Sequence, residues 1–351
     1  MVYYVRFRVA RFRQFLYVSG RKMNLIILGN GKNISLEEIE QKIMKFMSYV
    51  EEVLVYEEKF SNGLIGDEKM YNKIGVIGAG NIGSSLAHNL VLFNKKVVLI
   101  DVSNEKLEHA KSEITKNLRF AHMFLRVKEK FSKELINNIE FSLNLERLSD
   151  CDFIVENVPE VWEIKKTIYP KIDKICRKDV CFGVNTSCIS ITKVGALTDR
   201  PDKVIGMHFM NPVYLKNCVE TIRGYHTSAE TIEKVAAFLN EINKYMVLVN
   251  DFPGFVSNRI SHLFMNEAMY VVQDQVAEPK DVDEIFKSCF GHKMGPLETA
   301  DLIGLDTVLN SLMVLYESYN DSKYRPCPLL KKMVDAGVLG VKTKQGFYSY
   351  E

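Results

Sequence analysis

No apolar run in this 351-residue chain approaches the roughly 18 residues of a membrane-spanning helix, so no integral membrane segment is expected. No Cys-x-x-Cys pair occurs among the seven cysteines, Cys151, Cys176, Cys181, Cys188, Cys218, Cys289 and Cys327. An odd number without such a pair excludes a disulfide scaffold and a structural zinc site. Reduced, mostly buried thiols, a cytoplasmic location and no metal are expected. An excess of charge of one sign is missing too. The 46 Lys and Arg against 44 Asp and Glu leave a net charge of +2, and with it no electrostatic footprint for nucleic acid. With 47% hydrophobic and 26% charged residues the composition is that of a folded chain, long enough for two or three domains.

Acidic side chains are absent from the first 36 residues, where Arg6, Arg8, Arg11, Arg13, Arg21 and Lys22 alternate loosely with aromatics. Such a stretch suits a membrane-surface or phosphate-binding arm, or else a poorly ordered leader or translated sequence ahead of a true start at Met23. It lacks the apolar centre of a signal peptide, and the leader is the favoured reading. From there the pattern reads strand over 24–28, a helix opened by the Ser35/Glu38 capping box and running to Val50, and a strand over 53–56. Residues 1–70 are thus a basic leader with a small α/β appendage.

Over 71–250 strands alternate with helices, the signature of a parallel sheet covered on both faces. The expected strands are 73–77, 96–100, 153–156, 181–185, 204–208 and 218–222. Over 251–351 helical runs take over, at 256–273, 281–289 and 306–319, separated by breaks at Gly295-Pro296 and Pro326–Pro328. The fold class is α/β: a Rossmann-type doubly wound sheet followed by an all-helical C-terminal domain.

Lys73-Ile-Gly-Val-Ile-Gly78-Ala-Gly80-Asn81-Ile82-Gly83 places G-x-G-x-x-G where a buried strand gives way to a helix. Gly78 serves the tight turn, Gly80 the approach of a pyrophosphate, and Gly83 close helix–strand packing. The helix start offers free N–H groups, at Asn81 and Ile82 among others, to the phosphates. The next strand ends in Asp101, 23 residues after Gly78, where a carboxylate accepts from the adenosine ribose hydroxyls and repels a 2′-phosphate. The cofactor expected is therefore NAD rather than NADP.

Five further segments follow the glycine loop in order: Ile154-Val-Glu156-Asn-Val-Pro-Glu160, Asn185-Thr-Ser187, Gly206-Met-His208-Phe-Met-Asn211-Pro212, Val219-Glu220 and Pro253-Gly-Phe255-Val-Ser-Asn258-Arg259. With them the chain resembles the 3-hydroxyacyl-CoA dehydrogenases from Lys73 to its C-terminus. Met294-Gly-Pro-Leu297, Asp301-Leu-Ile-Gly-Leu-Asp306 and Gly346-Phe-Tyr348 are similar to the helical domain of the bacterial 3-hydroxybutyryl-CoA members. The resemblance implies oxidation or reduction of a 3-hydroxyacyl or 3-oxoacyl thioester, an acyl-CoA substrate and a homodimer formed through the helical domain.

Oxidising a secondary alcohol requires a base for the hydroxyl proton while hydride leaves the carbinol carbon. His208 ends an expected strand, and an imidazole is the side chain suited to proton transfer near neutral pH. Glu220 follows twelve residues later on another; if the chain reverses near Tyr214, antiparallel pairing sets the two opposite each other. The family uses such a His–Glu pair at this spacing. Ser187 lies at the C-terminal edge of the sheet, where open α/β folds bind ligands. Asn258 opens the first helix of the helical domain. The resemblance implies that Ser187 and Asn258 hold the substrate oxygen, that Asn211 fixes the nicotinamide and the base, and that Glu160, Lys165 and Lys342 occupy cofactor-facing positions. Glu160 and Lys165 also read as a solvated surface pair.

The helical stretch after Asp101 carries Lys106, Lys111, Lys116 and Arg119 among interspersed glutamates, in a region that the family uses for CoA. Cys188, Tyr214 and Lys344 depart from the usual pattern without removing a catalytic group. The run from Gly291 to Asp301, with Val219-Glu-Thr-Ile-Arg223, is similar to relatives acting on hydroxyacyl groups tethered to acyl carrier proteins, as in polyketide assembly. That alternative would give residues 1–70 a docking role. A non-catalytic NAD-binding relative is a third reading, opposed by the presence of His208, Glu220 and Asn258 together.

Overall fold

The computed structural model describes residues 2–9, 13–19, 25–27, 33–35, 50–56, 71–125 and 133–351. It divides into two compact units, Met1–Lys69 and Met70–Glu351. In the first, β1 (Val2–Val9) pairs antiparallel with both β2 (Arg13–Ser19) and β5 (Val50–Tyr56), and β3 (Leu25–Ile27) pairs with β4 (Asn33–Ser35). The leader expected to lack order thus carries paired strands. The alternation of Arg6 and Arg8 with Phe7 is the period-two pattern of a strand. Ser35 ends β4, and the helix expected after it lies outside the described residues.

The second unit is built on an eight-stranded sheet: β6 (Lys73–Ile77), β7 (Lys96–Ile100), β8 (Ile139–Ser142), β9 (Phe153–Glu156), β10 (Cys181–Val184), β11 (Val204–His208), β12 (Cys218–Arg223) and β13 (Tyr245–Asn250). The order is β13-β12-β11-β10-β9-β6-β7-β8, parallel throughout except between β11 and β12. From β6 the chain goes first to β7 on one side and later to β9 on the other. This reversal opens a crevice beyond the carboxyl ends of the central strands, where such sheets take ligands. Two strands, β8 and β13, were not expected; both are sheet edges.

Helices cover both faces. On one, α1 (Asn81–Leu92), α2 (Asn104–Leu125) and α5 (Ala229–Glu241) bury Leu86, Leu90, Ile114 and Phe238 against Ile74 and Val76. On the other, α3 (Trp162–Ile175) and the short α4 (Ile191–Gly195) pack Tyr169, Ile172 and Val194 on Ile154 and Phe182. A third core, with Met265, Leu297, Val308, Leu312 and Leu330, joins α6 (Ser257–Gln273), α7 (Pro279–Phe290), α8 (Pro296–Ile303), α9 (Leu305–Tyr319) and α10 (Pro328–Asp335). Proline opens α7, α8 and α10, where a missing N–H costs nothing. Phe255, just before α6, inserts into the second sheet core and so fixes the start of α6 beside the sheet. Among the described residues no helix is long and apolar enough to cross a membrane.

Candidate active site

The glycine turn joins β6 to α1 as its spacing requires. Gly78 has φ +94 and donates its N–H to the Ile100 carbonyl at 2.7 Å. A Cβ on Gly83 would stand 1.8 Å from the Gly78 oxygen, whereas one on Gly80 would meet nothing within 4 Å. Two glycines therefore serve the protein's own packing, and the third leaves open space above the helix start. Asp101 closes β7; its carboxylate accepts from the N–H groups of Ala79 at 2.8 Å and Ser103 at 3.1 Å. A cleft of about 690 Å³ runs past Gly78, Gly80, Asn81, Ile82 and Asp101 to Ser187 and His208. The open Gly80 position, the start of α1 without a side-chain cap and the buried Asp101 fit a dinucleotide with a free ribose 2′-hydroxyl.

At the far end of this cleft His208 and Glu220 are register partners on the antiparallel pair β11 and β12. The imidazole Nδ1 lies 2.9 Å from the Glu220 Oε2, and the other nitrogen, Nε2, lies 3.2 Å from the Ser187 hydroxyl. Both residues of the pair are buried. Glu220 also accepts from the Val256 N–H at 2.8 Å, the Ser257 N–H at 3.0 Å and the Ser257 hydroxyl at 2.5 Å. Burial works against its charge, but these bonds, that to His208 foremost, overcome it and hold the carboxyl down at about 2. With an ionised acceptor on Nδ1, the neutral ring carries its hydrogen there and presents a lone pair at Nε2.

Asn258, the second residue of α6, donates its amide to the Ser187 carbonyl at 3.1 Å. His208, Glu220, Ser187 and Asn258 are therefore brought together, as their proposed roles require. Glu160 also lines the cleft, through bonds that the sequence pattern did not show. It accepts from the Thr186 hydroxyl and the N–H groups of Ser187, Cys188 and Ile189, and so shapes the loop that carries Ser187. Burial first, and the Glu160 charge second, push the Cys188 thiol up to about 11. It remains protonated at neutral pH.

Other expected site residues lie elsewhere. The Glu160–Lys165 surface pair does not form, and Lys165 does not line the cleft. Its side chain is wholly buried, with Nζ 2.7 and 2.9 Å from the Glu156 oxygens and 3.3 Å from the Asn185 carbonyl. Lys342 bonds Asp306 and Thr307 in the helical region, again outside the cleft lining. Asn211 lines an adjoining cavity of about 790 Å³ with Tyr214, His109 and Asn117; Gly80, Asn81 and Lys106 border both spaces. Ser257 does not stand out in the sequence; a hydroxyl at the first helical position, next to Asn258, is the available signal.

The family model of the 3-hydroxyacyl-CoA dehydrogenase NAD-binding domain matches residues 73–252, and that of the C-terminal domain matches residues 254–350. The chain belongs to the 3-hydroxyacyl-CoA dehydrogenase family. It is 44% identical over 280 residues to the probable 3-hydroxybutyryl-CoA dehydrogenase of Bacillus subtilis, covering 80% of this chain and 97% of that relative. The 3-hydroxybutyryl-CoA dehydrogenase of Bradyrhizobium diazoefficiens is 42% identical, with 79% and 95% covered. Among solved structures, the (S)-3-hydroxybutyryl-CoA dehydrogenase of Ralstonia eutropha superposes with a TM-score of 0.76 at 37% identity, covering 80% of this chain and 99% of its own. As a 3-hydroxyacyl-CoA dehydrogenase family member, the chain is an NAD-dependent oxidoreductase. Residues before 73 fall outside both family models.

Proposed function

We propose that this enzyme interconverts a short-chain 3-hydroxyacyl thioester, such as 3-hydroxybutyryl-CoA, and its 3-oxo counterpart, with His208 and Glu220 as the proton-handling pair. The observation that carries the reading is the polarity of the imidazole: Nδ1 is tied to an ionised carboxylate while Nε2 faces the cleft beside Ser187. In the oxidative direction Nε2 takes the substrate hydroxyl proton, and Glu220 stabilises the imidazolium that forms. NAD, when bound, supplies the two-electron acceptor for the carbinol hydride. Ser187 donates its hydroxyl to the substrate oxygen next to Nε2, which fixes the alcohol for proton removal. Asn258 holds the Ser187 backbone and adds an amide N–H on the helical side. In reduction the same groups run in reverse, with the imidazolium returning its proton to the oxygen.

The thioester end is assigned to the adjoining cavity, where Lys106, His109 and Asn117 offer donors to a phosphopantetheine arm and Asn211 borders the glycine turn. Apolar side chains left exposed on α6 and α7, Ile260 (64%), Ile285 (50%) and Phe290 (66%), support a homodimer through the helical region. The direct test is NADH oxidation with acetoacetyl-CoA, compared with the same acyl group on a carrier protein. Efficient turnover of the CoA ester is expected; turnover confined to the carrier-bound form would overturn the CoA assignment.

A further inference from the structure

We propose that Ser257 is a positioning residue of the proton pair: its hydroxyl fixes Glu220 and limits how tightly that carboxylate holds the His208 proton. The inference rests on the His208–Glu220 reading above. A carboxylate offers about four acceptor directions, two per oxygen. In Glu220 all are used: Oε1 takes the N–H groups of Val256 and Ser257, and Oε2 takes His208 Nδ1 and the Ser257 hydroxyl. The hydroxyl therefore competes with the imidazole for one oxygen, at 2.5 Å against 2.9 Å, and its own oxygen lies 3.4 Å from Nδ1. Each donor draws charge from Oε2, so the serine weakens the pull of that oxygen on the imidazolium.

The placement has a second consequence. Val256, Ser257 and Asn258 are consecutive at the start of α6, and each reaches one part of the site: two bind Glu220 and the third binds the Ser187 loop. The start of α6 thereby sets both walls against the imidazole. The titratable groups around His208 are Glu220 on β12, His262 on α6, and Glu160 and Cys188 at the Ser187 loop. Among the described residues only Glu220 of these shares a hydrogen bond with the ring. Burial keeps His262 below its usual value.

The test is Ser257→Ala, with Ser257→Thr as the conservative variant and Ser257→Cys as an isosteric weak donor should the alanine variant not fold. Full-length enzyme is assayed for kcat and KM across pH, and the His208 ring is titrated by NMR in the absence of substrate. In the alanine variant the His208 midpoint and the acid limb of alcohol oxidation rise by about half to one pH unit. Its kcat falls by about tenfold, a loss of one charge-assisted hydrogen bond, while KM for NAD stays put. Threonine restores both, and cysteine lies between. A profile and a ring titration in Ser257→Ala that match the parent overturn the assignment. If His208→Gln is inactive alongside that result, only the Ser257 role fails. If His208→Gln turns over like the parent, the pair reading beneath it fails.

Discussion

Glu220 Oε2 lies 2.9 Å from His208 Nδ1, and the two residues stand directly opposite each other on neighbouring antiparallel strands. Strand register, rather than a loop, therefore sets the distance between carboxylate and imidazole, and the first turn of α6 completes the carboxylate's shell. For the proposed proton-handling role, a pair held by sheet geometry is pre-organised before substrate arrives.

Because Glu220 is held at about 2 against an ordinary value of 4.5, its charge stabilises the folded state above the unfolded value. That contribution is present in full above about pH 5 and is lost as pH falls through about 2. Thermal unfolding of the parent and of Glu220→Gln, followed from neutrality downward, checks this. The stability gap between them should close below pH 4.5; a gap that persists unchanged to pH 2 would contradict it.

The glycines of the turn separate packing from binding. Gly83→Ala forces a Cβ into the Gly78 carbonyl and should cost more than about 2 kcal/mol of stability. Gly80→Ala meets no protein atom, so unfolding should move by less than about 0.5 kcal/mol. With NAD in the cleft as proposed, its Cβ points into cofactor space instead, and the Kd for NADH measured by fluorescence should rise about tenfold or more. Equal destabilisation by the two substitutions would sink this division.

Lys165→Met strands the buried Glu156 carboxylate, which among the described residues then keeps the Tyr169 hydroxyl and the Val158 N–H. Removing one partner of a buried pair costs about 3–5 kcal/mol. Denaturant unfolding should show that loss, while NADH affinity of the folded fraction remains that of the parent. Weak binding with unchanged stability would return Lys165 to the cofactor.

Much of this was legible in the chain because its signals are local. The strand–glycine–helix turn, Asp101 at the end of the next strand, and the spacing of His208 and Glu220 around Asn211-Pro212 each follow from short-range geometry. The strands β8 and β13 were not, since both are sheet edges. Tyr245, Val247 and Leu248 of β13 are more than 40% exposed, so its place depends on pairing with β12 rather than on an alternating buried face. The roles of Glu160 and Lys165 stayed hidden for a related reason. Glu160 serves N–H groups 27 to 29 residues downstream, and Lys165 turns inward to Glu156 on β9. Five residues apart on paper, they face different partners. Ser257 shows its function only once α6 is seen against β12.

The most direct measurement is kcat of His208→Gln with acetoacetyl-CoA and NADH, taken together with its NADH affinity. Removing the general acid and base should lower kcat between about a hundredfold and ten-thousandfold, with NADH bound as tightly as in the parent. Turnover within a few fold of the parent, or loss of NADH binding, would show that the imidazole at the end of β11 is not the proton carrier.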